Sequence, residues 1–164
     1  MEVYATHTTL LRRAVDITDG SILECGGGKH STPIVHEAAR RGRRVVTYDT
    51  DAQWLAYLER FSVGRHHVLP TPLCLNGMPD WNMLPYQDGW DLVFVDQHPA
   101  AGRLVTLSAM SRTQAVVVLH DTECPTYFFE PVLQAYRFRY DDARHPRTSV
   151  VTNRPGVVEL FQGC

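Results

Sequence analysis

The sequence predicts a doubly wound α/β fold on a mainly parallel sheet, and three observations carry that prediction. Short apolar segments at 21–25, 44–49, 66–69, 90–96 and 114–120 recur with helical patterns between them. The fourth and fifth are near-continuous apolar runs, as strands covered on both faces require. Four of the five segments end in polar residues at Glu24, Asp49, Asp96 and His120, with Asp121 following. Right-handed crossovers would gather those ends into one crevice where strand order reverses.

Taken in order, a helix is expected over 8–15, where Leu10, Leu11, Ala14 and Val15 share a face. Asp19-Gly20 turns the chain into the first strand. After Gly26-Gly27-Gly28, Ser31-Thr32-Pro33 opens a helix with a hydroxyl cap and a proline in its first turn. Ile34, Val35, Ala38 and Ala39 form its packed side, and Gly42 ends it. A helix over 52–61 follows the second strand. Residues 70–89 make a connection rich in proline, asparagine and glycine, a length often tied to function. A helix over 99–110 joins the fourth and fifth strands. Beyond them, 125–136 reads as helix, 137–140 as extended and 148–152 as a β-branched strand.

The 164 residues are read as one domain, 1–164, large enough to bury roughly 70% of its unfolded surface. A net charge of −2 supplies no footprint for nucleic acid. Arg40, Arg41, Arg43 and Arg44 cluster where a helix ends, and cations suit that dipole. Cys25, Cys74, Cys124 and Cys164 form no paired zinc motif and read as free thiols of a reducing compartment. No signal peptide and no apolar stretch long enough to span a membrane is evident, so a cytoplasmic location with no membrane partner is expected.

The chemistry concentrates at the strand ends. Glu24, the glycine turn and Asp49, twenty-one residues after Gly28, predict a nucleoside-binding pocket. Free N–H groups in the turn and helix start would favour a carboxylate or phosphate, and Asp49 would hold two ribose hydroxyls. Asp51 is the better helix cap. If the fourth and fifth strands are neighbours, about 4.8 Å apart, Asp96 and Asp121 could share a divalent cation such as Mg²⁺. Alternatively, His98 or His120 could take a proton from an acceptor hydroxyl. Trp54, Trp81 and Trp90 read as core or loop anchors, and His66-His67 alternates across a strand, so it makes a poor joint metal site.

These residues resemble a class I S-adenosylmethionine-dependent methyltransferase. Leu23-Glu24-x-Gly26-x-Gly28 is similar to that family's glycine motif, and His30-Ser31-Thr32 to the helix start of one branch. Val45-Val46-Thr47-Tyr48-Asp49-x-Asp51-x-x-Trp54 resembles its second strand, and Asp91-Leu92-Val93-Phe94-Val95-Asp96 its fourth. Val116-Val117-Val118-Leu119-His120-Asp121 resembles the fifth strand of small-molecule and sugar O-methyltransferases, and Thr148-Ser149-Val150-Val151 the late antiparallel strand.

The resemblance implies a Rossmann-like, seven-stranded sheet that binds S-adenosylmethionine. Glu24, Gly26, Gly28 and Ser31 would line its methionine part, Asp49 its ribose and Pro72-Leu73 its adenine, with Asp96 beneath the methyl. It implies O-methylation of a small-molecule or sugar-like acceptor. Gln97-His98 stands where relatives often carry small residues. The segments before the first strand and between the last two are short, so the 70–89 loop, a second copy, a partner chain or a large acceptor would complete the site. Two other readings stay open. Gly26-x-Gly28-x-x-Ser31 with Asp49 approximates a dinucleotide fingerprint of an NAD-dependent oxidoreductase. A scaffold that keeps the fold without turnover is the other.

Overall fold

The computed structural model describes residues 5–163. Its sheet has seven strands: β1 Ile22–Cys25, β2 Val45–Asp49, β3 His66–Pro70, β4 Leu92–Val95, β5 Val116–His120, β6 Phe138–Asp141 and β7 Thr148–Thr152. They lie in the order β3-β2-β1-β4-β5-β7-β6. The first five are parallel, and β7 inserts antiparallel between β5 and β6. Strand order reverses between β1 and β4, so a crevice opens at their C-terminal ends. The expected doubly wound sheet with a late antiparallel strand is therefore present.

The helices are α1 His7–Ile17, α2 Thr32–Arg40, α3 Ala52–Leu58, α4 Ala100–Met110 and α5 Glu130–Leu133. Every residue of β1, β2, β4, β5 and β7 is buried, which explains their apolar runs. Alternation along each strand divides the core in two. Ile22, Val45, Phe94, Val116 and Val118 meet Leu10, Leu11, Ile34 and Val35 from α1 and α2. Leu23, Val46, Val93, Val95 and Val117 meet Leu107 and Met110 of α4, with Trp81, Leu84, Tyr86 and Trp90. Among the described residues, no helix is long and apolar enough to cross a membrane.

The long connection after β3 is packed, and one expected helix is corrected. Trp81 seats against Gly102 of α4, where a methyl group would stand 2.4 Å from its ring. The Tyr86 hydroxyl donates to the Trp81 carbonyl at 2.9 Å, and the Trp90 indole N–H to the Pro85 carbonyl at 2.7 Å. The helix expected over 125–136 breaks into a 3-10 turn, Pro125–Tyr127, and the single turn α5. Pro131 explains this: within a continuous helix its ring would strike the Tyr127 carbonyl, and it offers no N–H. Phe128 instead takes φ +52° between the two pieces.

The turn after β1 is fixed by close backbone approach. Gly26 donates to the Tyr48 carbonyl at 2.8 Å, and Asp96 donates to the Cys25 carbonyl at 2.8 Å, so β2 and β4 grip it from both sides. Gly26 has φ +85°, and a Cβ there would lie 2.6 Å from the Asp96 carbonyl and the Gln97 nitrogen. That obstacle is backbone and cannot rotate away. Gly26→Ala is expected to lose about 2 kcal/mol or more through strain and clash together. Urea denaturation checks this, and a midpoint equal to wild type would contradict it.

Candidate active site

A cleft of about 870 Å³ opens at the switch point. One wall is built from the β1 turn and the end of β2; the opposite wall comes from the ends of β4 and β5 and the start of α1. Gly26, Gly28, Ser31, Asp49, Asp96, His98, His120 and Asp121 all border it, as do Lys29, His7 and Trp54. Three of the residues assigned to the cofactor from sequence do not: Glu24, Pro72 and Leu73.

Glu24 lies beneath the turn, fully buried. Its Oε2 accepts the hydroxyls of Thr47 at 2.6 Å and Thr32 at 2.9 Å, and Thr32 Oγ1 in turn accepts the Gly28 N–H at 3.0 Å. Its Oε1 has no partner among the described residues. Burial pushes its carboxyl up to about 7. Glu24 therefore supports the turn from below rather than lining the cleft.

Leu73 is 62% exposed. It pairs with Pro79 in a short antiparallel bridge, and the Cys74 N–H donates to the Met78 carbonyl. This hairpin turns Met78 and Pro79, not Leu73, onto the cleft. Trp54 also departs from its expected role as an anchor, since it is exposed at the cleft edge. Trp81 and Trp90 are buried as expected.

The glycine N–H groups are not free for an anion, contrary to expectation. Gly26 donates to Tyr48, Gly27 to Asp49 Oδ2 at 2.9 Å, and Gly28 to Thr32. Ser31 occupies the cap position with helical backbone and makes no side-chain cap bond, because Thr32 supplies the hydroxyl instead. Asp51 does cap α3, accepting from Gln53 and Trp54. Asp49 is 7% exposed, and burial raises its pKa although backbone N–H groups of Asp51, Gly27 and Thr50 pull it down. Gly28 alone of the three glycines has room, since a Cβ there would meet only Ser31 Oγ, at 3.6 Å.

Across the cleft the carboxylates are compensated. Arg103 of α4 donates from Nη2 to Asp96 Oδ1 at 2.9 Å and from Nη1 to Asp121 Oδ2 at 3.3 Å. The same guanidinium holds the carbonyls of Gln97 at 2.9 Å and His120 at 3.0 Å. The other carboxylate oxygens, Asp96 Oδ2 and Asp121 Oδ1, face His120 Nδ1 at 3.5 and 3.4 Å. His120 Nε2 lies 3.3 Å from the Thr6 hydroxyl. His7 is buried between Phe94 and His120, and burial and His120 together push it down to about 4. His98 is exposed on the rim. Gln97 turns inward, its amide donating to the Gly102 carbonyl and to Thr106, so it ties β4 to α4.

One ligand atom each from Asp96, His120 and Asp121 lie within 4.8 Å of one another. These could hold a divalent cation. A set of two carboxylate oxygens and one imidazole suits a transition metal better than Mg²⁺, which favours oxygen alone.

Sequence reasoning missed Arg103, Thr6 and His7. The signal for Arg103 was present: it shares the i, i+3, i+4, i+7 face of α4 with Thr106, Leu107 and Met110, all buried. A charge on a core face demands counter-charges. Thr6 and His7 gave no such signal, since nothing local places a helix start against β5.

No family model matches the chain, and no curated protein matches it in sequence. Its fold does match solved structures. A candidate caffeoyl-CoA O-methyltransferase from Staphylococcus aureus superposes with a TM-score of 0.67 at 9% identity, covering 88% of this chain and 81% of that one. The N-methyltransferase NodS from Bradyrhizobium japonicum, in complex with S-adenosylhomocysteine, gives 0.56 at 14% identity over 88% and 83%. The N-terminal domain of EvdMO1, solved in the presence of S-adenosylhomocysteine and D-fucose, gives 0.57 at 11% identity over 94% and 84%. The chain thus has the Rossmann-like methyltransferase fold.

Two outcomes follow from the buried charges. Arg103→Met leaves Asp96 and Asp121 facing each other, and because they are 29% and 31% exposed the loss is expected to be about 2–3 kcal/mol, below that of a fully buried pair. Arg103→Lys should recover less than half, since an ammonium cannot bridge four acceptors in a plane. Urea titration of the three proteins reads this directly. Separately, the pKa of Glu24 rises from 4.5 to about 7 on folding, so its contribution to stability is complete in acid and lost as pH rises through about 7. Between pH 5 and 8 wild type should lose about 3 kcal/mol relative to Glu24→Gln. Parallel stability profiles for the two would refute the raised pKa.

Proposed function

We propose that this chain binds S-adenosylmethionine in the cleft and transfers its methyl group to an oxygen of a small hydroxyl-bearing acceptor. One observation carries the reading: a single cleft joins a glycine turn with room at Gly28, the buried Asp49 and the Asp96–His120–Asp121 cluster that Arg103 compensates. The neighbours solved with S-adenosylhomocysteine support the choice of cofactor.

In this reading the methionyl end lies along Gly28, where a side chain would intrude, and Asp49 accepts the ribose hydroxyls on lone pairs its backbone bonds leave open. Transfer from a sulfonium is an in-line displacement, so the protein must align the acceptor oxygen about 3 Å from the methyl and keep water away. Asp96 borders the place where that oxygen approaches. His120 is the better candidate base, because its buried Nδ1 faces two carboxylates with no hydrogen-bond partner of its own among the described residues while Thr6 holds Nε2, whereas His98 stands exposed at the rim and is placed to meet the acceptor. A divalent cation held by Asp96, Asp121 and His120 would be the alternative: it would engage His120 as a ligand rather than a base and would supply Lewis-acid polarisation of the acceptor hydroxyl. Met78, Pro79 and Trp54 form an apolar edge for the adenine.

A dinucleotide suits this cleft less well. Its pyrophosphate would need the N–H groups that Tyr48, Asp49 and Thr32 already use, and it would sit over two acids.

The test is thermal unfolding with 1 mM S-adenosylmethionine, S-adenosylhomocysteine or NAD. A ligand of micromolar affinity contributes about 4 kcal/mol at that excess, or about 8–16 °C for a domain of this size. The expected result is a shift with both sulfur nucleosides, none with NAD, and loss of the shift in Asp49→Ala and Gly28→Val. A shift with NAD alone would replace the reading with an oxidoreductase. Binding without methyl transfer to any hydroxyl-bearing acceptor would leave a scaffold.

A further inference from the structure

A chain of buried polar groups runs from the surface of α2 to the underside of the glycine turn. His36 Nδ1 lies 3.1 Å from His66 Nδ1, and His66 Nε2 lies 2.8 Å from Thr47 Oγ1. The Thr47 hydroxyl donates to Glu24 Oε2 at 2.6 Å. His36 is half-buried, while His66, Thr47 and Glu24 are each fully buried. A packing role alone would be met by apolar side chains of similar size, at little cost. Here an imidazole and a hydroxyl lead to a carboxylate whose second oxygen has no partner.

We propose that His66 is a positioning residue for the cofactor: through Thr47 it stabilises the ionised form of Glu24 that cofactor binding draws out beneath the turn, with His36 as the link to solvent. This rests on the cofactor reading above. The cofactor's ammonium and sulfonium are cationic against a single carboxylate, and a negative charge one layer below the turn favours the ammonium where that group lies nearer than the carboxylate.

The same heavy-atom positions serve two proton arrangements. With Glu24 neutral, its O–H donates to Thr47, Thr47 donates to His66 Nε2, and His66 Nδ1–H donates to His36 Nδ1. When the cation binds, each proton moves one link outward: Glu24 to Thr47, Thr47 to His66 Nε2, His66 Nδ1 to His36. His36 becomes an imidazolium and releases the proton on Nε2 to water. Every donor is then reversed, and the Thr47 hydroxyl donates to Glu24. Only O–H and N–H bonds change, and one proton leaves for each cofactor bound.

The surrounding groups fit this exchange. Facing Glu24 are Asp49 of β2, which opposes its ionisation, and the hydroxyls of Thr47, Ser31 and Thr32, which favour it. Beside it the Cys25 thiol is held neutral by burial. Burial lowers His66 to about 4, and His36 from α2 and the neighbouring His67 oppose its protonation further. His66 thus stays neutral, able to donate from one nitrogen and accept at the other, as a relay requires.

The experiment is calorimetric titration of S-adenosylhomocysteine, which keeps the ammonium, into wild type, Glu24→Gln, His66→Phe, His66→Gln and His36→Asn from pH 5.5 to 8.5. Wild-type affinity is expected to rise about tenfold per pH unit below pH 7 and then level, with proton release visible as a dependence on buffer ionisation heat. Glu24→Gln should be pH-independent. His66→Phe should move the levelling point up by about one pH unit or more, and His66→Gln, whose amide can still donate to Thr47, should return it. Should His66→Phe fail to fold, Thr47→Val cuts the same link and should give the same displacement. His36→Asn should keep the affinities but slow proton release followed with an indicator dye. Wild-type affinity flat across the range, a slope surviving in Glu24→Gln, or a levelling point unmoved by His66→Phe or Thr47→Val would each overturn the proposal while leaving the cofactor reading intact. No binding at any pH would overturn both.

Discussion

The guanidinium of Arg103 is the interaction on which the functional end of the sheet depends. It reaches from α4 to the ends of β4 and β5 and engages two carboxylates and two backbone carbonyls at once. Only a planar group with five donors can do so. The compensation runs both ways: a buried cation is tolerable because Asp96 and Asp121 face it, and two adjacent acids are tolerable because it lies between them. With one oxygen of each carboxylate fixed on Arg103, the other is left turned to His120. The geometry of the cluster is thus a consequence of a residue that does not line the cleft.

Much of the fold was legible because it rests on local pattern. The apolar runs of β4 and β5, the β-branched run of β7 and the proline start of α2 each state their structure within a few residues. The helix over 125–136 failed for a reason also written locally, since Pro131 outweighs the apolar periodicity of its neighbours. The site divides the same way. Asp49, Asp96, His120 and Asp121 were legible because strand ends are legible. Leu73 was misplaced because a hairpin at 73–79 depends on a bridge that periodicity does not reveal. His7 and Thr6 depend on where α1 docks, over a hundred residues from β5 in sequence. Gln97, which looked out of place at the mouth of the cleft, is a core residue because its amide finds partners on α4.

The long connection after β3 shows how one segment divides its labour. Its second half, with Trp81, Leu84 and Tyr86, covers a sheet face and seats on a glycine of α4. Its first half leaves Leu73, Leu75 and Met78 exposed, with Met78 and Pro79 on the cleft edge. The packed half anchors the exposed half, so the rim of the cleft is carried by the core rather than by a separate cap.

The two walls hold their acids differently, and that difference bears on the ligand proposed above. On the β4–β5 side, acids and a cation balance within hydrogen-bond distance. On the β1–β2 side, burial dominates, and it raises the pKa of both Glu24 and Asp49. The backbone cannot serve an anion there either, because the three glycine N–H groups already have internal acceptors. A phosphate at this turn would have to displace those bonds and approach two acids. A ligand with a cationic end would instead meet carboxyl groups whose ionisation it favours, lowering the cost of their burial as it binds. A glycine turn is usually read as a cradle for negative charge; here its own N–H groups are engaged by internal acceptors and acids lie behind it, so the backbone offers an anion little.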